Sequence, residues 1–146
     1  MGTIWTGPYV DIAGIDTTVM VTADALGTKT TFTVPEEGVI ETLRFVDLDN
    51  EDVAIDLLLF DADITSGANG VAYDMADVDR AAYIGQIKIS NADYSSLVDN
   101  SVAVVPNIGL AYSCPGGVMT VQCVVRGTPT YAAAGDLSAS FVIWIP

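Results

Sequence analysis

Histidine is absent from the whole chain of 146 residues. The commonest general base and the commonest nitrogen ligand for metals are therefore missing together. Positive charge is nearly as scarce. Five Lys and Arg stand against nineteen Asp and Glu, giving a net charge of −14. Such a surface repels phosphate backbones and anionic lipid, so neither nucleic acid nor a membrane surface is an expected partner. No apolar run nears the ~20 residues that span a bilayer. The start, Met1-Gly2-Thr3-Ile4-Trp5, has no basic stretch ahead of an apolar one, and the chain reads as a complete soluble gene product. Trp5 and Trp144 are the only two tryptophans and lie near opposite ends of the chain.

Cysteine is limited to Cys114 and Cys123. The segment "YSCPGGVMTVQC" reads as a hairpin turning at Pro115-Gly116-Gly117-Val118, with Cys114 opposite Met119 and Cys123 opposite Leu110. That register sets the two thiols about 14 Å apart along the strands, too far to bridge. Two reduced thiols are expected.

What the chain does contain is apolar residues, 51% of the total, in short β-branched runs. "TTVMV" (17–21) and "TTFTV" (30–34) read as strands, followed by "VIETLRFVDL" (39–48) and the almost wholly apolar "VAIDLLLFD" (53–61), expected to be central. In 39–48, Ile40, Thr42, Arg44 and Val46 share one face, and Val39, Leu43 and Phe45 lie off it. Further strands are expected at 83–90, at 101–112 with a break at Pro106, at 118–126 and at 136–145. Met119, Val121, Cys123 and Val125 share an inward face, as do Leu137, Ala139, Phe141, Ile143 and Ile145. Residues 62–82 are irregular, with one or two helical turns capped by Asp74 or Asp77. The spacing predicts an all-β, antiparallel, jelly-roll-like sandwich of about eight or nine strands, with a loop and short-helix insertion near 62–82. Residues 1–15 read as an N-terminal arm and residues 16–146 as one sandwich domain.

Catalytic chemistry finds no footing. The turn "DLDNED" (47–52) begins like a calcium loop, but Asp52 stands where glycine is needed and Leu58 where the bidentate Glu belongs. Asp61, Asp63, Asp74, Asp77 and Asp79 offer hard oxygens, as loops of an Asp-rich chain will by composition alone. No serine, threonine or lysine sits in a nucleophile motif. The expectation is a non-enzyme with no cofactor and no metal.

The corner "RGTPTY" (126–131) carries one of the five bases. Gly127 and Pro129 turn the chain there. Arg126 can clasp carbonyls or a carboxylate with its planar fork, with Asp136 the nearest acid across the loop. Tyr131 can cover the sheet end with its ring while its hydroxyl stays wet. The alternative is that Arg126, Thr128, Pro129 and Tyr131 dock a neighbouring subunit. In the arm, Ile4, Trp5, Pro8 and Tyr9 have no partner strand close in sequence and are candidates for the same kind of contact, the alternative being that the arm folds back on its own sandwich.

"LLLFDAD" (57–63), "ADVD" (76–79) and "RGTPTYAAAGDL" (126–137) resemble small virion proteins of tailed phages and related viruses. The resemblance spans about residues 38–146. It implies a capsid cement or decoration protein: a β-sandwich, often trimeric, bound to the major capsid protein on the outer face of the shell, without catalytic residues. The two cysteines and the strong acidity depart from that family. A carbohydrate- or receptor-binding head-fibre or tail module is the alternative, with Tyr73, Tyr83, Tyr94 and Tyr112 as its aromatic platform. Fifteen of the nineteen acids are Asp, a bias that also suits a high-salt habitat, where screening lets dense carboxylates coexist.

Overall fold

Along the last strand, Leu137, Ala139, Phe141 and Ile143 are buried in strict alternation, and this parity sets the inner face of the larger sheet. The computed structural model describes residues 1–146. Eleven strands form: β1 (Thr3–Thr6), β2 (Val10–Asp11), β3 (Ala25–Thr33), β4 (Glu37–Asp47), β5 (Ile55–Phe60), β6 (Tyr83–Ile89), β7 (Tyr94–Ser96), β8 (Ser101–Val105), β9 (Leu110–Ser113), β10 (Val118–Val125) and β11 (Leu137–Ile145). Helical structure is confined to two short 3-10 turns, Asp77–Ala82 and Asn91–Asp93.

The strands make two antiparallel sheets. The larger is ordered β1-β11-β4-β8-β7, with β2 also on β11 and β9 also on β4, and the smaller is ordered β3-β10-β5-β6. β1 and β2 act as one broken strand along β11. β9 and β8 likewise share one side of β4, pairing with Glu37–Ile40 and with Leu43–Asp47. With those breaks closed up, the orders 1-11-4-8 and 3-10-5-6 are those of a jelly roll. The fold is an all-β sandwich, as the strand spacing predicts.

A cluster of 27 buried apolar residues fills the space between the sheets. Phe32 of β3 and Phe141 of β11 meet across it edge to face, with ring centroids 5.0 Å apart, a pairing worth about 0.5–1.5 kcal/mol beyond its burial. β5, as expected, is an internal strand. β10 is covered on both faces, because the 62–76 loop lies over its outer side. There the Gly67 N–H donates to Gln122 Oε1, and Gln122 Nε2 donates to the Cys123 carbonyl.

Four local expectations are overturned. Residues 110–125 are not a hairpin: β9 pairs with β4 and β10 with β3 and β5, so the Pro-Gly-Gly turn carries the chain from one sheet to the other. Cys114 and Cys123 are nonetheless both free, as expected, and buried. Residues 17–21 are not a strand. They lie in a loop closed by Asp24, which accepts from the Val21 N–H, and only Met20 of that stretch enters the core. In β4 a bulge falls between Ile40 and Thr42, whose β11 partners are Ile143 and Val142. The extra residue flips the parity, so that Ile40 is buried with Leu43 and Phe45. Finally, the 3-10 turn at Asp77–Ala82 is preceded by Ala76, with no side-chain cap. Asp79 instead is buried and accepts from the Thr65 N–H.

The segment 1–15, expected to be an arm, lies on its own sandwich. β1 and β2 extend the larger sheet. Ile12 and Ile15 are buried in the core. The chain between them crosses β3, where the Ala13 N–H donates to Thr30 Oγ1 and the Thr28 N–H donates to the Ala13 carbonyl. That crossing needs Gly27. Its φ is +71°, and a Cβ there would stand 2.2 Å from the Ala13 carbonyl oxygen.

Candidate functional site

Two of the surfaces singled out in the sequence can now be placed, beginning with the corner after β10. Arg126 Nε donates to Asp56 Oδ2 at 2.8 Å, not to Asp136. Register explains the difference. β10 is paired with β5, Val124 opposite Asp56, whereas Asp136 leads into β11 in the other sheet. Asp136 turns back on its own loop, accepting from the Ala132 and Ala133 N–H groups. Asp56 is buried and Arg126 is half exposed, so the guanidinium closes over a carboxylate that would otherwise lack a charge partner. Tyr131 also departs from expectation. It is 1% exposed, its hydroxyl has no hydrogen-bond partner, and burial beside Asp47 pushes its phenol well above the ordinary range. Pro129 is buried, and Thr128 is exposed at the tip. The corner is a clasp built within one chain.

The second surface is the outer face of the larger sheet. Ile4 lies opposite Trp144, Trp144 opposite Val39, and Val39 opposite Ala111. This apolar row therefore runs across β1, β11, β4 and β9. Ile4 is 60% exposed and Trp144 39%. The Trp144 indole rests on the backbone of Gly2, where a Cβ would come 2.1 Å from its Nε1. The next positions on the same face are Val142, Thr42, Arg44, Val104 and Val46. Tyr9 is 49% exposed and lies against Arg44, whose guanidinium carbon is 5.4 Å from the ring centroid. Arg44 also donates to Ser140 Oγ, and that hydroxyl donates to the Gly7 carbonyl. Trp5 faces the other way and packs against the core. Pro8 is exposed beside Tyr9.

Ile4 and Tyr9 thus share one face, with Trp5 turned to the core side. The corner residues stand beyond the opposite end of β11, about 23 Å from Trp144 by strand rise. Trp144, Val39, Ala111 and Val104 were missed by the sequence reading. The available signal was Val142 and Trp144, two large apolar residues at the outward parity of β11.

The acidic segments fold without forming a metal cluster: nowhere do three Asp, Glu or Cys side chains converge in a way that can hold a metal ion. In the 47–52 turn, Asp47 is fully buried and accepts from the Asp49 and Glu51 N–H groups. Desolvation raises its carboxyl above the usual value, against the pull of those bonds. Asp63 pairs with Lys29 at 2.6 Å on the wall of an open cleft of about 540 Å³ that also includes Asp61 and Thr120. Burial pushes the Cys114 thiol up to about 11 and that of Cys123 to about 12, so neither is a thiolate at neutral pH.

The four tyrosines considered as a platform are dispersed. Tyr112 is buried and donates to the Pro35 carbonyl. Tyr94 donates to the Val53 carbonyl. Tyr73 has a buried hydroxyl, and Tyr83 stands edge-on to Phe60.

No protein-family model matches the chain, and no curated protein matches it. Among solved structures it is similar to TmCBM61 in complex with β-1,4-galactotriose, at 11% identity and a TM-score of 0.29, covering 87% of this chain and 66% of that one. It is also similar to a chain of the native virion of Kashmir bee virus at neutral pH, at 10% identity and a TM-score of 0.32, covering 98% and 70%.

Proposed function

We propose that the chain is a non-catalytic virion protein, a capsid cement that binds the outside of a shell through the open face of its larger sheet. One observation carries the proposal: a chain of charge −14 keeps an outward-facing apolar row, exposed Ile4, Trp144 and Ala111 with half-buried Val39 between them, running over four strands. Large apolar side chains left in the open on a rigid sheet are the raw material of a protein interface. Arg44, held against Tyr9, is the one base on this face. The jelly-roll order supports a virion role by architecture alone, since capsid and lectin domains both use it. In this proposal the partner is the major capsid protein, and the chain binds it as a homotrimer.

The test is co-sedimentation with purified shells, beside a mass-spectrometric census of the virion and sedimentation of the free protein. Trp144→Asp and Ile4→Asp are expected to lose shell binding by about 30-fold or more, with melting close to that of the parent. Unchanged binding in both variants would refute the docking face, and absence of the chain from virions would refute the role.

A second reading is carbohydrate binding, favoured by the half-open indole of Trp144 on the outer sheet face. Oligosaccharide binding lost in Trp144→Ala, without any affinity for shells, would establish it in place of the first.

A further inference from the structure

The 127–136 loop is tied to the 48–52 turn by one backbone bond at its end, from the Leu48 N–H to the Asp136 carbonyl, and otherwise by bonds that end on carboxylates. The Thr130 N–H donates to Glu51 Oε1 at 2.9 Å. The Ala132 N–H is shared: it lies 2.9 Å from Asp49 Oδ2 and 3.1 Å from Asp136 Oδ2. The Ala133 N–H donates to the same Asp136 oxygen at 2.7 Å. Two carboxylate oxygens from different segments therefore meet on the Ala132 N–H, and the two N–H groups of Ala132 and Ala133 are poor compensation for two negative charges in contact.

The groups around the pair make the conflict worse. Asp47 lies buried below it on β4. Glu51 flanks it on the turn, and Asp11 of β2 approaches the loop at Gly135. Tyr131 and, from β7, Tyr94 are neutral phenols whose protons are held tightly by burial near Asp47. The only base at this end is Arg126, and it is committed to Asp56. Nothing positive faces the pair. Its simplest resolution is a proton between the two oxygens, which turns repulsion into a carboxylic acid–carboxylate hydrogen bond.

We infer that Asp49 and Asp136 form an acid-operated latch: sharing one proton they hold the 127–136 loop down on the 48–52 turn, and with both ionised they let it loosen. Desolvation and the neighbouring Asp136 both raise the Asp49 carboxyl, in keeping with this geometry. A raised carboxyl contributes stability that is present below its unfolded value and lost as pH rises through the folded one, so the latch closes on the acid side. The loop carries Thr128 at its exposed tip, and its underside is Tyr131. The latch thus governs how firmly one end of the sandwich is shut.

Amide hydrogen exchange of Thr130 and Ala132, corrected for the intrinsic effect of pH, reads the latch in the intact chain. The parent should protect both amides several-fold better at about pH 4 than at about pH 7.5. Asp49→Asn supplies the bridging hydrogen permanently and should show the protected level at both pH values. Asp49→Ala should show the loose level at both. Amides of β4 and β11 serve as the internal measure of global stability, and Asp49→Asn, nearly isosteric, keeps the test valid if the alanine variant unfolds. Equal protection of the parent at the two pH values would overturn the inference. So would a pH dependence that survives unchanged in Asp49→Asn.

Discussion

At the residue scale, Arg126 and Asp47 show how this chain handles charge in places that water does not reach. Asp56 is buried on an internal strand, and its partner is a half-exposed guanidinium from the adjacent strand end. Removing that partner leaves a carboxylate without compensation. Arg126→Ala is therefore expected to cost about 1–2 kcal/mol, below the value for a fully buried pair because solvent reaches the arginine. Arg126→Lys should recover only part of it, since an ammonium on a flexible stem does not reproduce the bond from Nε. Thermal melting of the isolated protein reads both, and a parent-like melt for Arg126→Ala would show the contact to be idle.

Asp47 offers a pH test with a definite sign. Its carboxyl is raised, chiefly by desolvation, so its contribution is present below the ordinary carboxylate range and lost as pH climbs through the folded value. Asp47→Asn cannot titrate and gives up one of the two acceptors used by the Asp49 and Glu51 N–H groups. The variant is expected to be less stable by about 1–3 kcal/mol. Its deficit relative to the parent should shrink as pH rises from about 4 to about 6, by urea midpoints. A deficit that grows over that window would contradict the assigned direction.

At the scale of elements, the first fifteen residues carry the sharpest consequence. Deleting them removes β1 and β2 and takes Ile12 and Ile15 out of the core. Two buried isoleucines alone represent about 3–6 kcal/mol of apolar burial, against a total of about 5–15 kcal/mol for a typical domain. The truncated chain is expected to lose its cooperative melt, by circular dichroism, and not merely its affinity for a partner. Gly27→Ala probes the same crossing with a single atom: a positive φ and a 2.2 Å clash with a backbone oxygen should cost about 2 kcal/mol or more.

That segment also marks where the sequence stopped being legible. Parity named the core-facing residues of β10, and those of β11 as far as Ile143, and the apolar run of β5 identified an internal strand, because both signals are local; that the other face of β10 is also buried, under a loop distant in sequence, was not legible. The partner of β1 lies at the far end of the chain, and no local pattern announces a pairing between Thr3 and Ile145. For the same reason Arg126 was matched with the acid nearest in sequence, while the acid nearest in space sat across a β10–β5 register seventy residues away. The Pro-Gly-Gly turn misled differently. It is good hairpin chemistry, but β4 and β10 belong to different layers, and a turn of that kind serves equally to pass between sheets. The bulge in β4 is one extra residue and leaves no mark in composition.

At the scale of the whole molecule, charge is the dominant unresolved energy. The nineteen acids face five bases, and just two ion pairs form, Lys29–Asp63 and Arg126–Asp56. The remaining acids are held apart mainly by geometry and by hydrogen bonds from backbone N–H groups, which ease individual carboxylates without neutralising them. Folding gathers these charges onto one small surface, and in dilute buffer the Debye length of about 30 Å at 0.01 M lets nearly all of them interact. At 1 M the length falls to about 3 Å and only immediate neighbours repel. The melting temperature is therefore expected to rise from dilute buffer to molar sodium chloride, by about 2–4 °C for each kcal/mol of repulsion removed. The rise should appear with potassium chloride as well, because screening depends on ionic strength and not on the identity of the cation. A melt that is flat across that range would mean that the carboxylates are spaced widely enough for water alone to carry them. A rise specific to one cation would point instead to discrete binding. Either outcome bears on the proposed homotrimer, since the general repulsion between like-charged copies of this chain opposes their association and is weakened by salt.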